Sequence, residues 1–183
     1  MDIKKTLIAV AAATGISVGV LQGTADLVKP QEGLALRAYR DPANPSIATI
    51  CYGETQGVTF GDRHTAEECE AMLIKRLPDY ISPIRKMLPE LPDNRLIAYG
   101  DAAWNMGVGI ITRQDCAKRD KTTRECLQYI PDTSIYDHEK AGQWPQACAR
   151  LKLFVSANGK RLPGLVKRRE AEYRVCMGAG KTS

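Results

Sequence analysis

EGLALRAYRD at residues 32–41, followed after a short gap by TICYGET at residues 49–55, decides how this chain is read. Just upstream, Asp26 to Gly33 has the pattern of a short helix stopped by Gly33. Residues 36–60 are then rich in turn formers, with Pro42, Asn44, Pro45, Gly53 and Gly57. Between these lie apolar or β-branched pieces: Leu36 to Tyr39, Ile47 to Tyr52 and Gly57 to Phe60. A helix stop followed by such pieces predicts a small antiparallel sheet or hairpin.

Downstream the periodicity becomes helical. Thr65-Ala66-Glu67-Glu68 is a capping box, and Leu73, Ile74 and Leu77 mark an apolar face behind it. Ser82 to Leu88 reads as a short helix, with Ser82 as N-cap, Pro83 in the first turn and Pro89 as the stop. Asp93 to Val108 reads as a more buried helix through Leu96, Ile97, Ala102, Ala103 and Trp104. Residues 113–125 are strongly charged and predict a solvated excursion; Trp144 to Val155 and Leu165 to Met177 predict further helices. There is no internal repeat. The fold class is therefore α+β, a small sheet near the start followed by a helical lobe.

The N-terminus carries a different signal. Lys4 and Lys5 precede an uncharged run from Thr6 to Ala25, and Asp26 ends it. A positive flank before an apolar run is the pattern of an export segment. As one helix, such a run spans roughly 30 Å, about the thickness of a bilayer core. Gly23-Thr24-Ala25 resembles a cleavage site. The run is nevertheless longer than the usual apolar region of about 7–15 residues, which favours an uncleaved signal-anchor. Its Ala and Gly content makes insertion marginal and release feasible. A buried core helix is disfavoured beside Lys4 and Lys5. The expected organisation is an anchor or signal at 1–25 and one globular domain at 26–179, exported and either tethered to the inner membrane through residues 6–25 or periplasmic.

Composition agrees with a globular chain: of 183 residues, 44% are hydrophobic, 26% charged and 6% aromatic. The net charge of +5 suits anionic partners or simply supplies solubility. No nucleic-acid motif accompanies it. Six cysteines occur, none in a C-x-x-C pair, and His64 and His138 do not stand at zinc-ligand spacing. Neither a metal nor a cofactor is expected. In an exported chain, three disulfides are the natural reading, with 15 connectivities in principle.

Two carboxyls flank the expected hairpin. Glu32 ends a helix and Asp41 lies nine residues on, in the turn-rich region. Glycoside hydrolysis uses such a pair, one protonated and one ionised. Spacing alone would fit two surface carboxylates equally well. The surrounding residues, however, resemble the signature of the phage lysozymes, glycoside hydrolase family 24: E-G-x-x-x-x-A-Y-x-D, a short turn, then T-[IV]-[GC]-[YH]-G-H-T. Asp101-Ala102-Ala103-Trp104-Asn105-Met106-Gly107 is similar to that family's A-x-[FW]-N-x-G helix. Leu162-Pro163-Gly164-Leu165-Val166-Lys167-Arg168-Arg169-Glu170-Ala171-Glu172 is similar to its closing G-L-x-x-R-R-x-x-E helix. The likeness covers about residues 28–177.

The resemblance implies a lysozyme-like fold and a muramidase acting as a monomer on peptidoglycan glycan strands. It implies Glu32 as general acid, Asp41 as the ionised partner and Thr49 as the holder of the water, with Asn105 near the substrate. It joins Cys148 with Cys176; Cys51 with Cys69 and Cys116 with Cys126 complete the expected set. Two departures stand out. Seven residues separate Asp41 from Thr49 where the family usually has five, so Pro42 to Ser46 is expected to widen the turn. Glu54 stands where the family mostly has His and receives no role. The rival readings are a lytic transglycosylase on the same substrate and a non-catalytic wall-binding module. The basic residues Lys160, Arg161, Lys167, Arg168 and Arg169 are read either as attracting the anionic wall or as a solvated helix face with an Arg168–Glu172 salt bridge.

Overall fold

A computed structural model describes residues 2–41, 44–112, 134–157 and 159–179. The chain divides into two compact units, residues 1–79 and 80–183. The charged stretch 113–125 and the expected Cys116–Cys126 pair lie outside the described residues, as do Pro42 and Ala43 of the turn expected to widen.

The first unit opens with two helices, α1 (Ile3–Thr14) and α2 (Val18–Glu32), bent at 119°. The break has a local cause. Gly15 takes a left-handed φ of 71° and closes α1 through its N–H to Ala11. Two residues on, the Ser17 side chain accepts from the Val20 N–H and starts α2. A C-cap and an N-cap back to back interrupt the apolar run. The helix read from Asp26 therefore begins at Val18. Val20, Leu21, Thr24, Ala25 and Val28 are buried at helical spacing. A core-helix role for this segment, disfavoured by Lys4 and Lys5, is thus what the fold uses. The bend and the position of the lysines explain it: both stay exposed on the first turn of α1, so no charge is buried. α1 packs on α2 and on α3 (Ala66–Arg76).

After α2 come β1 (Ala35–Arg40) and β2 (Ala48–Cys51), paired antiparallel with Tyr39 opposite Thr49, Arg40 opposite Ala48 and Ala35 opposite Cys51. The register shifts between Ala35 and Tyr39, which marks a bulge. The third expected piece, Gly57 to Phe60, forms no strand. The Thr59 N–H and hydroxyl both donate to the Asp62 carboxylate and fold the piece into a turn. Residues 62–64 cover β1 instead: Ala38 N–H donates to Asp62 C=O and His64 N–H to Leu36 C=O. The capping box forms as read, Glu68 N–H to the Thr65 hydroxyl and Thr65 N–H to the Glu68 carboxylate.

α4 (Pro78–Met87) begins before the expected Ser82 cap. Leu77, Ile81, Ile84 and Leu88 are all buried at helical spacing, so the apolar face runs straight through Ser82. In the second unit, α5 (Asp93–Met106) is buried continuously from Leu96 to Ala103 and is the core helix. α6 (Ile135–Lys140) and α7 (Trp144–Arg150) follow, with a 3₁₀ turn at Leu151–Leu153 where the sequence suggested more α-helix. A two-stranded ribbon, β3 (Ser156–Ala157) and β4 (Lys160–Arg161), leads into α8 (Pro163–Cys176), which packs along α5. Cys148–Cys176 joins α7 to α8, and Tyr99 donates to the Glu139 carboxylate at 2.6 Å, joining α5 to α6.

Candidate active site

Glu32 is the last residue of α2, and its side chain is exposed. Gly33, at φ 74°, ends the helix in a backbone region that side chains other than glycine rarely adopt. That turn aims the chain directly into β1. Six residues of strand then carry it to Asp41.

Asp41 lies one step beyond the Arg40–Ala48 pair. Its N–H donates to Ile47 C=O at 3.1 Å, and its Oδ1 accepts the Asn44 N–H at 3.0 Å. Asp41 therefore anchors its own longer turn with one carboxylate oxygen, an Asx-type arrangement. The chain returns in β2 with Thr49 opposite Tyr39. Thr49 is 2% exposed, and its Oγ1 is buried with no hydrogen-bond partner among the described residues. Buried hydroxyls nearly always have a partner, and water is the usual one where protein supplies none. Glu32, Asp41 and Thr49 thus all belong to the first unit, around a single helix-to-hairpin turn. Asn105 belongs to the second unit, on the last turn of α5, half-buried, with Oδ1 accepting from Arg169 at 3.1 Å.

Two devices fasten the hairpin. Cys51 bonds to Cys69 of α3. It also has a φ of 60°, unusual for a residue with a side chain. The second device is Glu54, the residue left without a role by its sequence. It is 8% exposed. Its backbone exchanges hydrogen bonds with Ile50, both at 2.9 Å. Its Oε1 accepts the N–H groups of Thr55 and Gln56 at 2.9 and 2.8 Å, and its Oε2 lies 3.2 Å from Arg76 Nε. Glu54 closes the turn that follows Thr49. The available signal was a tight Tyr52-Gly53-Glu54 turn whose next N–H groups need an acceptor; nothing in the sequence pointed to Arg76. Glu54→Ala is expected to cost about 1–3 kcal/mol, because the Arg76 guanidinium and two backbone N–H groups lose their acceptor. Glu54→Gln, whose amide oxygen still accepts, costs less. Urea midpoints measure both.

The basic C-terminal segment divides in two. Lys160, Arg161 and Lys167 are exposed. Arg168 and Arg169 are buried, so neither wall attraction nor a solvated face describes them. Arg168 donates twice to Asp101, at 3.1 and 2.8 Å, and stands 3.6 Å from Glu172. Arg169 lies 2.6 Å from Glu172. The Arg168–Glu172 pair exists, but in the interior. Burial pushes the Glu172 carboxyl well above the usual range, and neighbouring Asp101 adds to it, against the two guanidiniums. Among the described residues, no cluster of His, Cys, Asp and Glu is arranged to hold a metal.

Comparison with known proteins gives a consistent result. The profile of the phage lysozyme family matches residues 29–130 and 127–172. The SAR-endolysin of Escherichia phage P1 is 30% identical over 158 residues, covering 85% of this chain and 80% of that protein. The active form of the P1 phage endolysin Lyz superposes with a TM-score of 0.72 at 27% identity, over 99% of this chain and 97% of that one. The secreted inactive form of the same endolysin gives a TM-score of 0.51 at 25% identity, over 87% of this chain and 97% of that one.

Proposed function

The chain belongs to the phage lysozyme family, and from that premise we propose that it is an endolysin that hydrolyses the β-1,4 bond between N-acetylmuramic acid and N-acetylglucosamine in peptidoglycan, lysing the host cell. Glu32 donates its proton to the glycosidic oxygen as the bond to the anomeric carbon breaks. Asp41 stays ionised and either stabilises the oxocarbenium-like transition state or takes a proton from the attacking water. The Thr49 hydroxyl holds that water. The observation carrying this reading is the buried, unpartnered Thr49 Oγ1 on the hairpin that also carries Asp41, immediately after the helix ending in Glu32. The chemistry of these groups needs no cofactor.

Product analysis on purified peptidoglycan tests the proposal. Hydrolysis yields free reducing ends. Anhydro-sugar ends would establish a lytic transglycosylase instead, a reaction that has no use for a water held by Thr49. Intact strands would establish a wall-binding module.

The N-terminal segment completes the reading: residues 6–25 first hold the chain in the inner membrane, and the released monomer works in the periplasm. The P1 relative is itself named a SAR-endolysin. No single described helix is long and apolar enough to span a bilayer, but α1 and α2 together meet that test by length and composition. Leu7, Val20, Leu21, Ala25 and Val28 also belong to the folded core. The same residues cannot serve lipid and core at once, and α2 ends in Glu32. A membrane-held chain therefore lacks the support of its catalytic helix. Gly15→Leu with Gly19→Leu and Gly23→Leu strengthens the anchor and is expected to leave the chain membrane-bound and inactive on peptidoglycan. Equal activity of held and released chains overturns the control, and an exported chain beginning at Asp26 overturns the anchor.

A further inference from the structure

The turn of α2 that carries Glu32 lacks part of the backbone support a helix end ordinarily has. Pro30 lies inside the helix. It has no N–H to donate to the Asp26 carbonyl one turn back, and its ring crowds that carbonyl. Gly33, which ends the helix, returns no backbone hydrogen bond into α2, unlike Gly15 at the end of α1. A side chain spans the gap instead. Lys29 Nζ lies 3.1 Å from Asp26 Oδ1 on the preceding turn and donates to Glu70 Oε1 of α3 at 2.7 Å. The same Asp26 oxygen accepts from Gln22 at 2.9 Å, one turn further back. The Lys29 and Glu70 side chains are only 26% and 23% exposed, so salt screens this pair less than a surface one. Both charges also act on the Tyr52 phenol, in the turn that follows β2. Burial raises that phenol, Lys29 opposes the rise and Glu70 adds to it. Lys29 thus stands where α2, α3 and that turn meet, all within the first unit.

We infer that Lys29 is a positioning residue: bonded to Asp26 and Glu70, it fixes the last turn of α2 on α3 and so holds Glu32 in place beside the hairpin that carries Asp41 and Thr49. The inference rests on the reading of Glu32 as general acid given above and adds the residue that sets its place. Glu32 lies three residues beyond Lys29, and residues at that spacing are neighbours on a helix surface. Movement of this turn therefore carries the Glu32 carboxyl with it. A displacement of about 1 Å at a reacting group is enough to cost about 10²-fold in rate.

Lys29→Met provides the test, since it keeps the aliphatic stem and removes the ammonium. Assayed on purified peptidoglycan well below the melting temperature, kcat is expected to fall about tenfold with KM nearly unchanged. A merely structural salt bridge would lower the melting temperature and leave kcat alone. Lys29→Arg, whose planar fork still serves two carboxylates, keeps most of the rate. The exposed Pro30 supplies the decisive background. Pro30→Ala returns an N–H for the Asp26 carbonyl, so there Lys29→Met costs only about twofold. Hydrogen exchange at the Gln31 and Glu32 amides reads the same device without any activity. Protection falls in Lys29→Met more than at the core amides of α5, and it returns with Pro30→Ala. Glu70→Gln, which keeps an acceptor for the ammonium, moves both readings in the same direction by less and serves if Lys29→Met does not fold. An unchanged kcat, a loss through KM, an equal loss with and without Pro30→Ala, or unchanged exchange overturns the inference. Full activity of Glu32→Gln overturns the reading of Glu32 instead, a result distinguishable from all of these.

Discussion

Glu32→Gln keeps the fold and lowers peptidoglycan cleavage by about 10²–10⁴-fold, the share of the rate that a positioned general acid supplies. Stability should stay within about 0.5 kcal/mol of wild type, since Glu32 is an exposed helix-terminal residue and Gln has nearly the same helix propensity. The two outcomes must be read together. A loss of activity with unchanged melting assigns the proton to Glu32, because the amide is isosteric and differs in having no acidic proton to give. Full lytic activity would remove Glu32 from the mechanism. Asp41→Asn makes a second comparison possible. The Asn amide oxygen still accepts the Asn44 N–H that Asp41 Oδ1 accepts at 3.0 Å, so the turn is kept. The charge is removed, and the second oxygen becomes an NH₂ donor. A crippled Asp41→Asn enzyme with an intact fold therefore separates the catalytic use of this carboxylate from its use as a turn anchor. Reducing-end release and thermal melting, run on both variants, provide the measurements.

Much of the frame around these residues was legible because it depends on short-range rules. The capping box at Thr65, the strands on either side of the turn and the helix stop at Gly33 are all local patterns. The hidden parts depend on partners distant in sequence. The apolar run from Thr6 to Ala25 reads as lipid-directed because hydropathy says only that it avoids water. In this structure the run breaks at Gly15–Ser17 and α1 packs on α3, neither of which hydropathy reports. Glu54 was opaque because its cation, Arg76, sits on α3. Arg168 and Arg169 were misread for the same reason. An R-R pair on a helix flanked by exposed Lys167 is ordinarily solvated; here Arg168 meets Asp101 of α5 and Arg169 meets the buried Glu172. In the site, the resemblance to the phage lysozyme signature, and not spacing, pointed to Glu32, Asp41 and Thr49. The unsatisfied hydroxyl of Thr49 required coordinates to be seen.

Arg168→Met is expected to destabilise the protein by about 3–5 kcal/mol, the cost of stranding buried charge by removing one partner. Asp101 is 1% exposed and receives both of its charge-assisted bonds from this guanidinium, and Glu172, fully buried, stands beside it. After the substitution, Asp101 loses both of those bonds, while neighbouring Glu172 keeps Arg169 at 2.6 Å. Lys167→Met, one position away and exposed, should cost less than about 0.5 kcal/mol. That contrast separates interior charge from charge in general. The double change Arg168→Met with Asp101→Leu should recover much of the loss, since an apolar pair of similar volume replaces a buried ion pair at little cost. The pH dependence follows from Glu172. Its carboxyl is raised in the folded state by burial first and by Asp101 second. A group raised on folding contributes stability at pH below its unfolded pKa, and that contribution is lost as pH rises through the folded one. Removing Arg168 takes away a cation that favours the ionised form and raises the carboxyl further. The deficit of Arg168→Met should therefore be larger at pH above the folded-state pKa of this carboxyl than below it, where a proton neutralises the stranded group in both proteins. Urea midpoints in a pH series rising from the ordinary carboxylate range measure the difference. A deficit that is equal throughout the series would mean that the loss is one of packing by the arginine stem, not of charge.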